Sequence, residues 1–293
     1  MPEFDQILPV LLALNAALFF ATSNQFQNLG IRHVDSRTGI FVSLIASAGF
    51  FWLLSPFYIE SWYWLSFGTL VFAAIGLIRP FLSANLALAG IRHLGPTLAS
   101  TLMSTSPFWA ALFAILWLGE DMTWSVALGT IAVVGGIILL ANSSGRVQAG
   151  WPLWALILPI GASFIRSLGH ALTKYGMDWV PSPLFAALIG TSVSVIVAFA
   201  TQRAKRQVKP APWRWQSHQW FIYAGVANAV GLLSLNTAIN RGEIISVIPV
   251  VACSPVITMF LSRFVFKQES ITKQKILAVC LIVPAIILIA VST

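Results

Sequence analysis

What this chain has least of is charge. It carries 17 Lys+Arg and 9 Asp+Glu in 293 residues, about a third of the share found in a soluble domain. The nine carboxylates (Glu3, Asp5, Asp35, Glu60, Glu120, Asp121, Asp178, Glu243 and Glu269) all fall in loops or at the ends of apolar runs. Cysteine is almost as scarce: Cys253 and Cys280 both sit inside apolar runs, which excludes a disulfide framework and offers no metal-ligand spacing. No GxxxxGK[ST] loop occurs, so nothing points to nucleotide hydrolysis. An intramembrane protease would need paired aspartates, a GxSxG serine or a HExxH site at depth, and the sequence has none. Its start, Met1-Pro2-Glu3-Phe4-Asp5, lacks the basic stretch of a signal peptide, so the first apolar run is expected to be a retained span.

What is present is apolar surface. Hydrophobic residues make up 58% of the chain and the mean hydropathy is +0.84, more than a globule of this length can bury in water. The solvent for most of this protein is lipid, which excludes a soluble enzyme and a nucleic-acid binder. A helix needs roughly 20 mainly apolar residues to cross the hydrocarbon layer. Ten stretches qualify: 8–29, 38–57, 63–89, 96–118, 124–141, 152–175, 183–201, 217–239, 244–266 and 273–291. The pattern predicts an all-α membrane protein, since barrel-type alternation is missing. Of the 12 tryptophans all but Trp109 lie near predicted span ends, where an interfacial belt would put them.

Loops after odd-numbered spans hold twelve Lys/Arg; those after even-numbered spans hold only Lys174 and Arg241. Positive charge stays on the cytoplasmic side, so both chain ends are predicted outside, and the net charge of +8 is first a topology signal. The basic connection 202–216 is accounted for by orientation and by attraction to anionic lipid, not by nucleic acid.

The two halves repeat. Ser106-Pro107 aligns with Ser254-Pro255, Glu120 with Glu269, and Asn28-Leu29-Gly30 with Lys174-Tyr175-Gly176, at slowly drifting offsets that duplication leaves behind. Residues 1–145 form the first copy and 146–293 the second. Five spans per copy make the second enter from the opposite side, and the loop charge bias switches accordingly. Inverted repeats with interrupted helices are a secondary-transporter architecture, with substrate near the midplane between the halves.

A Ser-Pro in the fourth span of each copy, followed by Glu120 or Glu269 and then Thr123 or Thr272, resembles the EamA-type repeat of the drug/metabolite transporter superfamily. The resemblance covers essentially the whole chain, and is nearest to the superfamily's aromatic amino acid exporters. It implies export of metabolites or toxic compounds by alternating access, with no cofactor.

Two arginines lie at membrane depth: Arg79, beside Pro80, and Arg166. Each costs roughly 2.5–3.5 kcal/mol to insert, so each should face a cavity or a partner. A substrate carboxylate is one partner; carbonyls freed by the proline kink are the alternative for Arg79. Ser163, Arg166, His170 and Lys174 follow one helical face. That face suits substrate binding or proton coupling, or else a hydrogen bond between helices. Lys174 is expected to pair with Asp178 one turn on. Asn24, Asn85 and Asn228 are further candidates for a water-accessible cavity or for interhelical contacts. Trp109 could stack on an aromatic substrate or fill the gap at a kink. Pro80, Pro107, Pro249 and Pro255 mark expected hinges. The implied partners are a small-molecule substrate, amino acids first, and membrane lipid. A transport-free membrane scaffold is the reading of another class.

Overall fold

The computed structural model describes residues 2–31, 36–79, 81–94, 96–142, 152–204, 215–265 and 273–292. Its thirteen helices are α1 (Pro2–Gly30), α2 (Ser36–Tyr58), α3 (Phe67–Ile78), α4 (Phe81–Leu94), α5 (Pro96–Met103), α6 (Ser106–Phe113), α7 (Trp124–Asn142), α8 (Ile157–Trp179), α9 (Pro183–Ala204), α10 (Trp215–Arg241), α11 (Ile244–Ala252), α12 (Ser254–Phe260) and α13 (Lys273–Ser292). No strand occurs among the described residues. Seven helical stretches are long and apolar enough on their own to cross a membrane, and this is a multi-pass membrane protein. Three shorter apolar helices, Phe67–Ile78, Trp124–Leu139 and Ile276–Val291, fall where the third, fifth and tenth spans are expected.

The third stretch departs from an unbroken helix over 63–89. Ser61–Leu65 is a 3-10 turn, α3 ends at Ile78, and the path resumes as α4. The Pro80 ring forces the residue before it out of the helical region; accordingly Arg79 is extended, at φ −121° and ψ 141°. Pro80 itself lies outside the described residues, as does Glu269.

Proline also splits the fourth and ninth stretches. Pro107 and Pro255 each sit at the start of a new helix, α6 or α12, where a missing N–H costs nothing. The preceding turns tighten: Ser104 and Thr105 N–H donate to the Thr101 and Leu102 carbonyls (3.2 and 3.3 Å), and Cys253 N–H to Val250 (3.2 Å). Both paths then pass into a π-helical turn, Ala114–Leu118 and Leu261–Val265. Pro249, by contrast, sits within α11, which runs unbroken from Ile244 to Ala252.

Packing between the halves is reciprocal. α1 lies on α10, α11 and α12, while α8 lies on α3, α4, α5 and α6. α2 packs on α10 and α9 on α3; the last helices, α7 and α13, pack on each other. Lipid provides no hydrophobic drive for such contacts, so close approach and hydrogen bonds must hold them. On α7, a Cβ at Gly129 or Gly136 would run into Ile289 or Ile282 of α13; these two glycines therefore serve packing within the chain. Ser23 donates to Ala224 O (2.8 Å), Ser47 to Gly225 O (2.6 Å), and Asn15 Nδ2 to Ser234 Oγ (2.8 Å), stitching α1 and α2 to α10.

Candidate functional site

The centre of the bundle is α8. At about 100° per residue, Pro159, Ser163, His170, Thr173 and Met177 all lie within about 60° of Arg166 on its surface, and all five are buried. Arg166, in their midst, is exposed. The opposite face, with Ile157 and Phe164 exposed and Leu168 and Tyr175 half-buried, is the one turned outward. An exposed side chain on the inward face reports a solvent-accessible cavity inside the bundle. Arg166 has no hydrogen-bond or ion-pair partner among the described residues.

Arg79 arrives at the same place from α3. Its side chain crosses the backbone at Gly169, where a Cβ would collide with Arg79 Cδ, and Nη1 ends 3.3 Å from His170 Nδ1. A guanidinium can only donate, so Nδ1 accepts and the imidazole proton sits on Nε2. The carbonyls left open at the end of α3 are met by a different group. Ser194 Oγ of α9 lies 2.6 Å from Arg79 O and 3.0 Å from Gly76 O, within donating reach of both. The guanidinium is thus turned to His170. Arg79, Arg166 and His170 lie within electrostatic reach of one another.

Hydroxyls line the side of α8 that meets the break before Pro107. Thr105 Oγ1 and Ser163 Oγ are 3.1 Å apart, Ser106 Oγ and Ser167 Oγ 3.0 Å, and Ser167 Oγ donates to Ser106 O at 2.8 Å. Ser163 therefore joins the helix break to α8. Ser167 and Ser194 went unnoticed in the sequence, where a serine inside an apolar run looks like any small packing residue.

The other predicted residues divide. Asn24 and Asn28 are exposed on α1, beyond the buried Ala13, Ala17 and Ala21 of the same face and away from the exposed Leu11 and Leu18. Asn228 is half-buried on α10 and Asn85 exposed on α4. Among the described residues no hydrogen bond joins Asn24 or Asn228 to the polar stripe of α8. Trp109 is elsewhere: its ring is edge-on to Phe164, centroids 5.2 Å apart, on the outward side of α8.

Lys174 does not pair with Asp178. α8 continues to Trp179, so Lys174 lies inside the helix and not at its end, and its Nζ meets Glu120 Oε1 at 2.6 Å and Gly242 O at 2.9 Å. Glu120 is held there by the first two N–H groups of α11: Ile244 donates to Oε1 (3.0 Å) and Ile245 to Oε2 (3.1 Å). Gly119, at φ +68°, makes the left-handed turn that ends the helical path and aims Glu120 inward. One carboxylate thereby joins the end of the path that begins with α6, the middle helix α8 and the start of α11. Glu243 flanks this cluster, its carboxyl pushed above the ordinary carboxylate range by partial burial first and by Glu120 second.

The profile of the EamA-like transporter family matches the chain twice, at residues 7–142 and 153–291. A curated relative, a "Probable terminal-alkyne amino-acid exporter" of Streptantibioticus cattleyicolor, is 26% identical over 108 residues, which is 37% of this chain and 33% of that protein. The chain thus aligns with about a third of that relative's length. A solved crystal structure at 13% identity superposes with a TM-score of 0.79 over 96% of this chain and 95% of the other, a likeness of fold alone.

Proposed function

The chain belongs to the EamA-like transporter family, and on that premise we propose that it is a secondary transporter exporting small carboxylate-bearing metabolites, amino acids with aromatic and other neutral side chains among them. It spans the bacterial inner membrane ten times, as two inverted repeats, 1–145 and 146–293, with both chain ends outside. The twofold family match and the reciprocal packing of each first helix on the other half's third and fourth spans support that arrangement.

Substrate occupies the cavity faced by Arg166. The observation that carries this reading is an arginine exposed on the inward face of a central helix with no hydrogen-bond or ion-pair partner among the described residues: a charge that costs roughly 2.5–3.5 kcal/mol at depth is offset when a ligand anion neutralises it. Arg79, turned toward His170 over Gly169, adds a second positive end to the same pocket. Access alternates because the chain is jointed at Thr105 and Cys253, where the fourth and ninth spans change helix. The Glu120–Lys174 cluster closes the even-loop end, and Asn24 and Asn28 line the odd-loop mouth. This is the state open to the cytoplasm in the proposed orientation.

The test is uptake into proteoliposomes. Movement of Phe, Trp, Met or Thr is expected; transport of a lipophilic cation with none of these would overturn the reading. A reporter fused at Thr293 is expected to read as external, and a cytoplasmic reading would reverse the topology.

A further inference from the structure

The cavity has two guanidiniums, and no acid among the described residues is placed to offset them. Among the described residues Arg166 has no hydrogen-bond or ion-pair partner, and the Arg79 guanidinium meets His170 Nδ1. The nearest anion along α8, Glu120, is committed to Lys174 and to two backbone N–H groups. Glu60 accepts from Trp62 Nε1 at 2.7 Å, outside the spans. Asp178, in the last turn of α8, and Glu243, just before α11, are exposed. A zwitterionic amino acid whose carboxylate meets one guanidinium brings its ammonium, two bonds away, into the field of both. Unit charges roughly 5–6 Å apart at an effective dielectric of about 20 repel strongly enough to lower affinity by about a hundredfold or more. The nearby hydroxyls of Ser163 and Thr105 give their protons to Ile160 O (2.8 Å) and Leu102 O (2.7 Å); their lone pairs can still accept from an ammonium, but a neutral hydroxyl does not cancel the charge of two guanidiniums.

Resting on the reading that this cavity holds the substrate carboxylate, we propose that the site ranks its ligands by net charge. Organic anions that lack a free ammonium, such as N-acyl amino acids and aryl-substituted carboxylic or 2-oxo acids, are its tightest ligands, and the zwitterion bearing the same side chain binds more weakly. Export then favours amino-acid derivatives whose amino group has been acylated or removed, and moves net negative charge outward when the substrate is a monoanion.

Four probes that share one aromatic ring separate the possibilities: L-phenylalanine, N-acetyl-L-phenylalanine, 3-phenylpropionate and phenethylamine. Their affinities are measured by calorimetry on the purified full chain. The two anions are expected to bind about tenfold or more tightly than phenylalanine, and phenethylamine not at all. Arg166→Lys, which keeps the charge, retains this order; Arg166→Gln, compared at equal thermal stability, narrows the gap between 3-phenylpropionate and phenylalanine. Phenylalanine binding as tightly as 3-phenylpropionate overturns the charge ranking while leaving the carboxylate site standing. Binding of phenethylamine alone, or of none of the four, overturns both.

Discussion

Replacing Glu120 with Gln tests whether one carboxylate closes one end of the bundle. The change keeps shape and removes charge. Its single carbonyl oxygen can still accept from Ile244 or Ile245, but not from both and from Lys174 as well. The loss is one hydrogen bond to a charged acceptor, worth about 1.5 kcal/mol, the charge at a helix N-terminus, about 1 kcal/mol, and an ion pair. That pair has a 6% exposed carboxylate but a 24% exposed ammonium, so about 1 kcal/mol is assigned to it, well below the value for a fully buried pair. The total of about 3.5 kcal/mol corresponds to a fall in Tm of roughly 7–14 °C. Where it acts on the closed state alone, the same energy shifts the access equilibrium by roughly several hundredfold. The readouts are thermal unfolding in detergent, and labelling of a cysteine placed at the buried Ser246 by an impermeant thiol reagent, in a Cys253→Ser/Cys280→Ser background. Glu120→Gln is expected to lower Tm and to speed labelling from the even-loop side, and Lys174→Met to act in the same direction. Asp178→Asn is expected to do neither. An unchanged Tm and labelling rate in Glu120→Gln, or an equal effect from Asp178→Asn, would refute the latch.

Gly169→Ala places a methyl against Arg79 Cδ; it is expected to cost about 1–3 kcal/mol and to weaken substrate binding by displacing the guanidinium from His170, which calorimetry would detect. Trp109→Phe keeps the edge-on contact with Phe164 and is expected to leave the KM for an aromatic substrate within about twofold; a tenfold change would place the ring in the cavity. Glu243→Gln removes a carboxylate whose pKa lies above its ordinary value. Because the folded chain holds that proton more tightly than the unfolded one, ionisation costs stability as pH rises. The variant is therefore expected to be more stable than wild type at pH 8 and equal to it below the ordinary carboxylate range, as scanned by Tm against pH. A gain confined to low pH would contradict this.

Composition and periodicity made the helical spans and the polar face of α8 legible, because a transmembrane helix must hide polar groups and the 3.6-residue period records where it hides them. The Ser-Pro pairs foretold where the fourth and ninth spans break, since a proline's missing N–H acts locally. Pro249 carries the same chemistry yet sits in an unbroken α11, so proline alone does not make a joint. What escaped the sequence was partnership across the chain. Lys174 has a carboxylate one turn away in Asp178, and helix geometry favours that pair; the pair that forms reaches back to Glu120, because α11's N-terminus gathers the acid there. Arg79 and His170 are 91 residues apart, and only packing through Gly169 brings them together. Trp109 stood out in sequence for lying away from the belts, while its neighbour Phe164 shows it serving the packing of α6 on α8.

The central claim is that Arg166 holds the substrate's carboxylate in the cavity, and counterflow of a labelled carboxylate substrate in proteoliposomes tests it most directly. Arg166→Ala, shown to unfold at the wild-type temperature, is predicted to lose at least about nine-tenths of the flux, as removal of a charge-assisted bond requires. Arg166→Lys is predicted to recover part of it. Full flux through Arg166→Ala would contradict the account.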